Sequence, residues 1–312
     1  MKKNFSFKSS DGITDIYGIE WDVKEPKAVI QVAHGMSEFI DRYDDFAKYL
    51  NEYGIVVVGN DHIGHGNSIS SEKGPMYFGD DNSWNYVVDD LFTVYQRTKE
   101  KYPDVPYFML GFSLGSFLIR SMVLNYSEGM DGVILIGTGQ VLPFQAKMAL
   151  AVAKIEKLIH GDKSMPNSID NFTFASYNKG FQPNRTKMDW LCANEEALDE
   201  FLKDERRGEA FTVGLFRELI SVMQYTGNTK NIDKQDKKLP ILLLSGEQDA
   251  VGDYTNGIKN LFGIYKEVGI SDVDMKFYPD ARHDILNEKN RKDVFEDIVG
   301  WTDKVLVKKR GK

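Results

Sequence analysis

Residues 107–115 read YFMLGFSLG, and the interpretation of this stretch decides the fold. Four apolar residues run straight into Gly111-Phe112-Ser113-Leu114-Gly115, and a second apolar segment follows. A continuous apolar run is the mark of a strand buried on both faces. The G-x-S-x-G that closes it is the pattern of a sharp strand-to-helix elbow, whose glycines admit a crowded backbone and whose serine hydroxyl stands clear of the turn. An ordinary turn serine is the competing interpretation, and the rest of the chain must choose between them.

Working outward, similar runs recur at 27–33 (KAVIQVA), 55–60 (IVVVGN), 132–137 (GVILIG), 240–246 (PILLLSG) and 273–278 (VDMKFY). Before them, ITDIYGIEW alternates more strictly and suits an antiparallel edge strand. Helical patterns lie between the runs. Tyr43, Phe46, Ala47 and Leu50 share one face, with a stop at Tyr53-Gly54. Residues 83–102 form the next helix, with Ser83 as its cap; 113–126 and 253–268 follow, with Asp253 as a cap. Val294, Ile298, Trp301 and Val305 line a last helix. Strands alternating with helices imply an α/β protein with a mostly parallel, doubly wound sheet.

Residues 139–231 break this rhythm. They carry no buried strand, and they are too many for a plain connection. They read as a helical insertion dividing a core of 1–138 and 232–312. Within it Met148, Val152, Ile155 and Ile159 share a helix face, and the apolar face of Val141, Phe144, Met148, Val152 and Ile155, alongside Lys147 and Lys154, either packs on the core or forms an exposed lip.

In an open parallel sheet, chemistry sits beyond the carboxyl ends of the strands. A serine nucleophile needs a base, and the chain order for this elbow is serine, acid, histidine. Of five histidines only His160 and His283 follow Ser113, and His160 falls in the insertion, so His283 is the base. The acid comes from the loop after 240–246, where Asp249 is preferred to Glu247 and Asp253. The oxyanion donors are the backbone N–H groups of Leu114 and of Met36, which follows Gly35 after the 27–33 strand. His34, His62 and His65 are left as structural imidazoles bonded to loop backbone.

These motifs carry a resemblance. HGMSEFIDRYDDFAKYL, NDHIGHGNS, GFSLG, SGEQDAVGD and ARHDILNE resemble the monoacylglycerol lipase and lysophospholipase group of serine α/β-hydrolases, over nearly the whole chain. The resemblance implies the α/β-hydrolase fold, a helical cap where the insertion lies, and a triad on Ser113, Asp249 and His283. It also supports Met36 and Leu114 as oxyanion donors. Phe112 departs from the group, many members of which carry histidine there, and makes the floor of the site more apolar.

The function expected is cleavage of a single-chain acyl ester, with Phe112, Phe144 and Met148 as substrate contacts. Val141, Leu142, Phe172, Phe174 and Phe181 are further apolar candidates for an acyl tunnel. No metal or organic cofactor is required. An aminopeptidase of the same fold is the alternative; it needs carboxylates at the site, and Glu195, Glu196, Asp199 and Glu200 look instead like a solvated helix face. A retired, ligand-binding hydrolase is a third possibility, at odds with three filled triad positions.

Composition excludes other classes. With 39 basic and 47 acidic side chains the net charge is −8, which argues against nucleic-acid partners and against stable attachment to anionic membranes. Any membrane contact is expected to be transient and through the insertion. One cysteine, Cys192, permits no internal disulfide and reads as inert. No signal-peptide pattern and no membrane-length apolar run are present, so the expected location is the cytoplasm.

Overall fold

The computed structural model describes residues 1–169 and 176–311. Among the described residues eight strands form one sheet: β1 (Lys2–Lys8), β2 (Asp15–Trp21), β3 (Ala28–Ala33), β4 (Ile55–Asn60), β5 (Tyr107–Phe112), β6 (Gly132–Ile136), β7 (Ile241–Gly246) and β8 (Val273–Tyr278). Their order is β1-β2-β4-β3-β5-β6-β7-β8. β2 pairs antiparallel with both β1 and β4, and every pairing from β4 to β8 is parallel. This is the α/β-hydrolase fold.

The continuous apolar runs have their cause in the two faces of the sheet. Val29, Val56, Met109, Leu135 and Leu243 point into one core, packed by α2 (Trp84–Lys101), α3 (Leu114–Tyr126) and a later helix, Asn256–Glu267. Their neighbours Ile30, Val57, Leu110, Ile136 and Leu244 point into the other, packed by α1 (Asp44–Glu52) and the last helix, Arg291–Arg310. Strands covered on both sides have no polar face to show.

Between β6 and β7 the described residues hold helices and turns: α4 (Pro143–His160), α5 (Glu195–Lys203) and α6 (Val213–Gly227), with a single turn at Thr229–Ile232. The helices at Asn256–Glu267 and Arg291–Arg310 are therefore α7 and α8. α4 lies on α6 along a buried stripe of Ala146, Ala149 and Ala153. Its apolar row turns the other way: Phe144, Met148, Ile155, Leu158 and Ile159 are exposed. Phe172 and Phe174 lie outside the described residues.

Three local expectations are corrected. β2 is not an edge strand, because β1 flanks it; β1 escapes notice with only Phe5 and Phe7 among lysines and small polar residues. Ser83 does not cap α2: its backbone is already helical, which turns its hydroxyl away from the free N–H groups. The Glu218 carboxylate of α6 caps α2 instead, accepting from Trp84 N at 3.0 Å and Asn82 N at 3.2 Å. Asp253 is likewise not the cap of α7. Thr255 holds that position, and Asp253 stands in a left-handed turn before it.

Candidate active site

Ser113 joins β5 to α3 with φ 49° and ψ −117°, a conformation costly for a residue with a side chain. The neighbours hold it there. Ser113 N donates to Ile136 O at 2.9 Å, and Ser113 O accepts from Ser116 N and Ser116 Oγ. Gly115 lets α3 start directly against β3, since a Cβ there would stand 1.9 Å from Ala33 O. The elbow exists because the chain has no side chain at that contact.

Asp249, in the loop after β7, is fully buried. Its Oδ1 accepts from His283 Nδ1 at 2.9 Å and from Val251 N at 2.9 Å. A carboxylate at Nδ1 requires the proton there and leaves Nε2 with its lone pair. His283 Nε2 is buried and has no hydrogen-bond partner among the described residues. The ring sits between Phe112 and Trp190, at centroid distances of 5.0 and 5.6 Å. Gly137 at φ 57° lets it in, because a Cβ there would meet His283 Cε1 at 2.7 Å. The carboxylate hydrogen-bonded to this imidazole is that of Asp249, not Asp253 or Glu247; the Asp253 carboxylate accepts from Asn256.

Ser113 and His283 open on one cavity of about 410 Å³, which Met36, Leu114, Phe112, Phe144 and Met148 also line. Of the tunnel candidates Val141 lines it too, whereas Leu142 and Phe181 do not. Phe181 lies instead beneath the Arg282 guanidinium. The walls toward α4 and α6 are apolar, with Leu219, Ile220 and Met223, while Ser37, Glu38 and Arg42 make a polar end beside Met36.

That polar end holds residues the sequence reading passed over. Glu38 accepts from Gly35 N and from Tyr43 OH at 2.8 Å, and Arg42 donates to it. Arg42 also donates to Asp284 Oδ2 at 3.0 Å, so it ties the loop after β3 to the residue beside His283. Burial raises the Glu38 pKa against the pull of Arg42; burial opposes the Arg42 charge, yet Asp284 and Glu38 hold its pKa above the ordinary value. The signal was present in HGMSEFIDRY, where Glu38 and Arg42 stand four residues apart.

Behind the loop lie three buried imidazoles. His34 Nε2 accepts from His62 N at 2.9 Å, so its Nδ1 carries the proton and donates to Gly35 O at 2.6 Å. His62 Nε2 donates to His34 O at 3.0 Å, with the two rings 3.9 Å apart. His65 Nδ1 donates to Ile63 O. Burial pushes His62 down to about 3 and His65 to about 4, and pushes His34 well below its ordinary value. All three are neutral fasteners of backbone. His160 is exposed on α4, far from this work in its contacts, beside Glu156. Cys192 is buried and its thiol is pushed far up by burial, so it stays protonated. Among the described residues no group of histidine, cysteine or carboxylate side chains is arranged to hold a metal. No described helix is long and apolar enough to cross a membrane.

The family described as serine aminopeptidase, S33 (Hydrolase_4) matches residues 24–290. The chain is 26% identical to the monoglyceride lipase of Rattus norvegicus over 265 residues, covering 84% of this chain and 77% of that protein. It is 22% identical to the monoacylglycerol lipase of Mycolicibacterium smegmatis over 303 residues, 96% of each. Among solved structures, a thermostable carboxyl esterase from Bacillus coagulans in complex with glycerol superposes with a TM-score of 0.90 at 26% identity, covering 98% of this chain and 99% of that one. A monoglyceride lipase from Saccharomyces cerevisiae shares the fold, with a TM-score of 0.74 at 17% identity over 94% and 92% of the two chains.

Proposed function

Since the chain belongs to the serine aminopeptidase S33 family and is a carboxylic-ester hydrolase of the α/β-hydrolase fold, we propose that it cleaves single-chain acyl esters, monoacylglycerols or lysophospholipids, through Ser113, His283 and Asp249. The observation that carries this is one cavity, apolar along α4 and α6, onto which Ser113 and the Asp249-bound imidazole both open. A single acyl chain fills its apolar walls, and the small alcohol lies at the polar end by Glu38 and Arg42.

Ser113 Oγ attacks the ester carbonyl while His283 Nε2 takes its proton. The negative charge on the carbonyl oxygen is met by the N–H groups of Leu114 and Met36. His283 returns the proton to the departing alcohol, and a water activated by the same imidazole releases the acid. Asp249 holds the tautomer and balances the imidazolium. No cofactor enters these steps.

Residues 139–231 act as a cap over a core of 1–138 and 232–312. The exposed row on α4, Phe144 to Ile159, flanked by Lys147 and Lys154, is a lip that touches lipid surfaces transiently as substrate enters. The buried, unpaired Cys192 fits a cytoplasmic setting.

The aminopeptidase in the family description calls for a carboxylate free to hold a substrate ammonium. Glu195 and Asp199 pair with Arg185, and none of the four acidic residues of α5 lines the cavity. Glu38 does line it, but its oxygens are engaged by Gly35, Tyr43 and Arg42. A panel of monoacylglycerols, lysophosphatidylcholine, p-nitrophenyl esters and aminoacyl p-nitroanilides tests the reading, with Ser113→Ala as control. Ester turnover lost in the control is expected. Turnover of the anilides alone would establish the aminopeptidase, and failure of a fluorophosphonate to label Ser113 would establish a retired site.

A further inference from the structure

Arg120 lies two helical turns beyond Ser113 on α3 and is only 4% exposed. A guanidinium so deep would ordinarily have a carboxylate beside it, because an unpaired buried charge is costly. Among the described residues none pairs with it. Its partners are all uncharged, the Tyr265 side chain among them. Nη1 donates to Gly139 O at 2.8 Å and lies 3.4 Å from Thr138 Oγ1. Nη2 donates to Thr226 O at 2.9 Å and to Gln140 Oε1 at 3.3 Å. Gln140 Nε2 in turn donates to Gly227 O at 2.7 Å. The guanidinium also stands over the Phe117 ring, 5.3 Å from its centroid.

The acceptors identify what is being fastened. Thr138 to Gln140 are the residues by which the chain leaves β6 for the insertion, and Thr226 and Gly227 end α6, the helix that brings it back. The last carbonyls of a helix lack partners within it and carry its negative end, which suits a cation. Arginine alone has donors in a rigid fork wide enough to serve two chain segments at once; lysine offers a single point.

Each of these two stems carries part of the cavity wall. Val141 and Phe144 follow the first, while Met223 and Ile220 precede the second, and all four line the space above Ser113. We propose that Arg120 is a positioning residue for acyl-chain selection, pinning both stems of the insertion to the nucleophile helix and so fixing the spacing of the two parts of that wall relative to Ser113. This rests on the reading of the cavity as an acyl-ester site.

Two measurements test it. In Arg120→Met, which keeps the bulk and loses every donor, kcat/KM for p-nitrophenyl dodecanoate relative to p-nitrophenyl butyrate should fall about tenfold, carried by KM, with kcat on butyrate held within about threefold. Arg120→Lys should restore part of the ratio. In hydrogen exchange, amides of residues 139–142 and 224–228 should speed up together in Arg120→Met, while those of β5 do not change. An unchanged ratio, or a lowered Tm with equal loss on both esters, would overturn the assignment, as would loosening of one stem alone. If the unmodified protein hydrolysed no ester, the proposed activity would fall, and the exchange experiment would still decide the clamp. Should Arg120→Met fail to fold, Arg120→Lys and Gln140→Leu, which cuts the bridge to Gly227, carry the same two readouts.

Discussion

Leu158→Gln probes whether the outer face of α4 meets lipid. Leu158 is 79% exposed, Ile159 65% and Ile155 57%, on a helix that packs inward through alanines. Taking an exposed leucine or isoleucine side chain out of water is worth about 2 kcal/mol, so the exposed parts of these three make about 4 kcal/mol available on entering a lipid surface. Leu158→Gln removes about 1.6 kcal/mol of that, which is about tenfold in partitioning. Adding Ile159→Gln brings the loss to about a hundredfold. The cost to the fold is small: a fifth of Leu158 is buried, about 0.4 kcal/mol, or a shift of about 1 °C in Tm. Leu158 does not line the cavity, so a substrate in free solution does not meet it. Sedimentation with phosphatidylcholine vesicles reads the partitioning, and turnover of vesicle-borne monoacylglycerol is compared with that of dissolved p-nitrophenyl butyrate. Vesicle turnover should fall with binding while butyrate turnover holds. Unchanged vesicle binding would refute the lip, and equal loss on both substrates with a marked drop in Tm would mean that the face is packed.

Ser113→Ala or His283→Ala should lower kcat by about 10⁶, with the double variant hardly worse, and Asp249→Asn by about 10⁴. Asp253→Asn should keep its rate on p-nitrophenyl butyrate, and its inactivity would move the acid to Asp253. His65 titrates at about 4 in the folded protein against about 6.5 unfolded. As pH falls the unfolded chain therefore binds the proton first, and His65 takes away stability between pH 6.5 and 4 at about 1.4 kcal/mol per pH unit, its own contribution ending below that window. Urea titrations across that window should show a limb shallower by this amount in His65→Asn, and an identical slope would count against a neutral buried imidazole. Glu218→Ala strips the start of α2 of its acceptor and should cost about 2 kcal/mol in the same titration, with Glu218→Gln recovering part. A loss below about 0.5 kcal/mol would show that water replaces the carboxylate there.

The sequence made the fold legible wherever one local rule decided the outcome. Unbroken apolar runs marked β3 to β7 because both faces of the sheet are covered, and G-x-S-x-G marked the elbow because only glycine fits Gly115 against Ala33 O. Rules of lower reach failed. β1 has only two apolar residues because its edge position leaves much of it in water. The cap of α2 comes from Glu218, some 134 residues away, and no window around Ser83 contains it.

The same limit of reach separates the proposed triad from what holds it. Ser113, Asp249 and His283 each follow a strand end, so strand order alone brings them to one edge of the sheet. Glu38, Arg42 and Asp284 form a chain of ionic contacts between loops 242 residues apart, and each side chain alone reads as an ordinary surface charge. The helical period on α4 named the residues of a common face, yet a period carries no direction. The direction came from alanines: Ala146, Ala149 and Ala153 let α4 approach α6 closely, which left Ile155, Leu158 and Ile159 on the outer surface while Phe144 and Met148 reach the cavity. Packing between helices follows the smallest residues when these form a stripe of their own, because close approach gains dispersion contacts that bulky side chains on that face would prevent. The row of large residues is thereby free to meet something other than the protein itself.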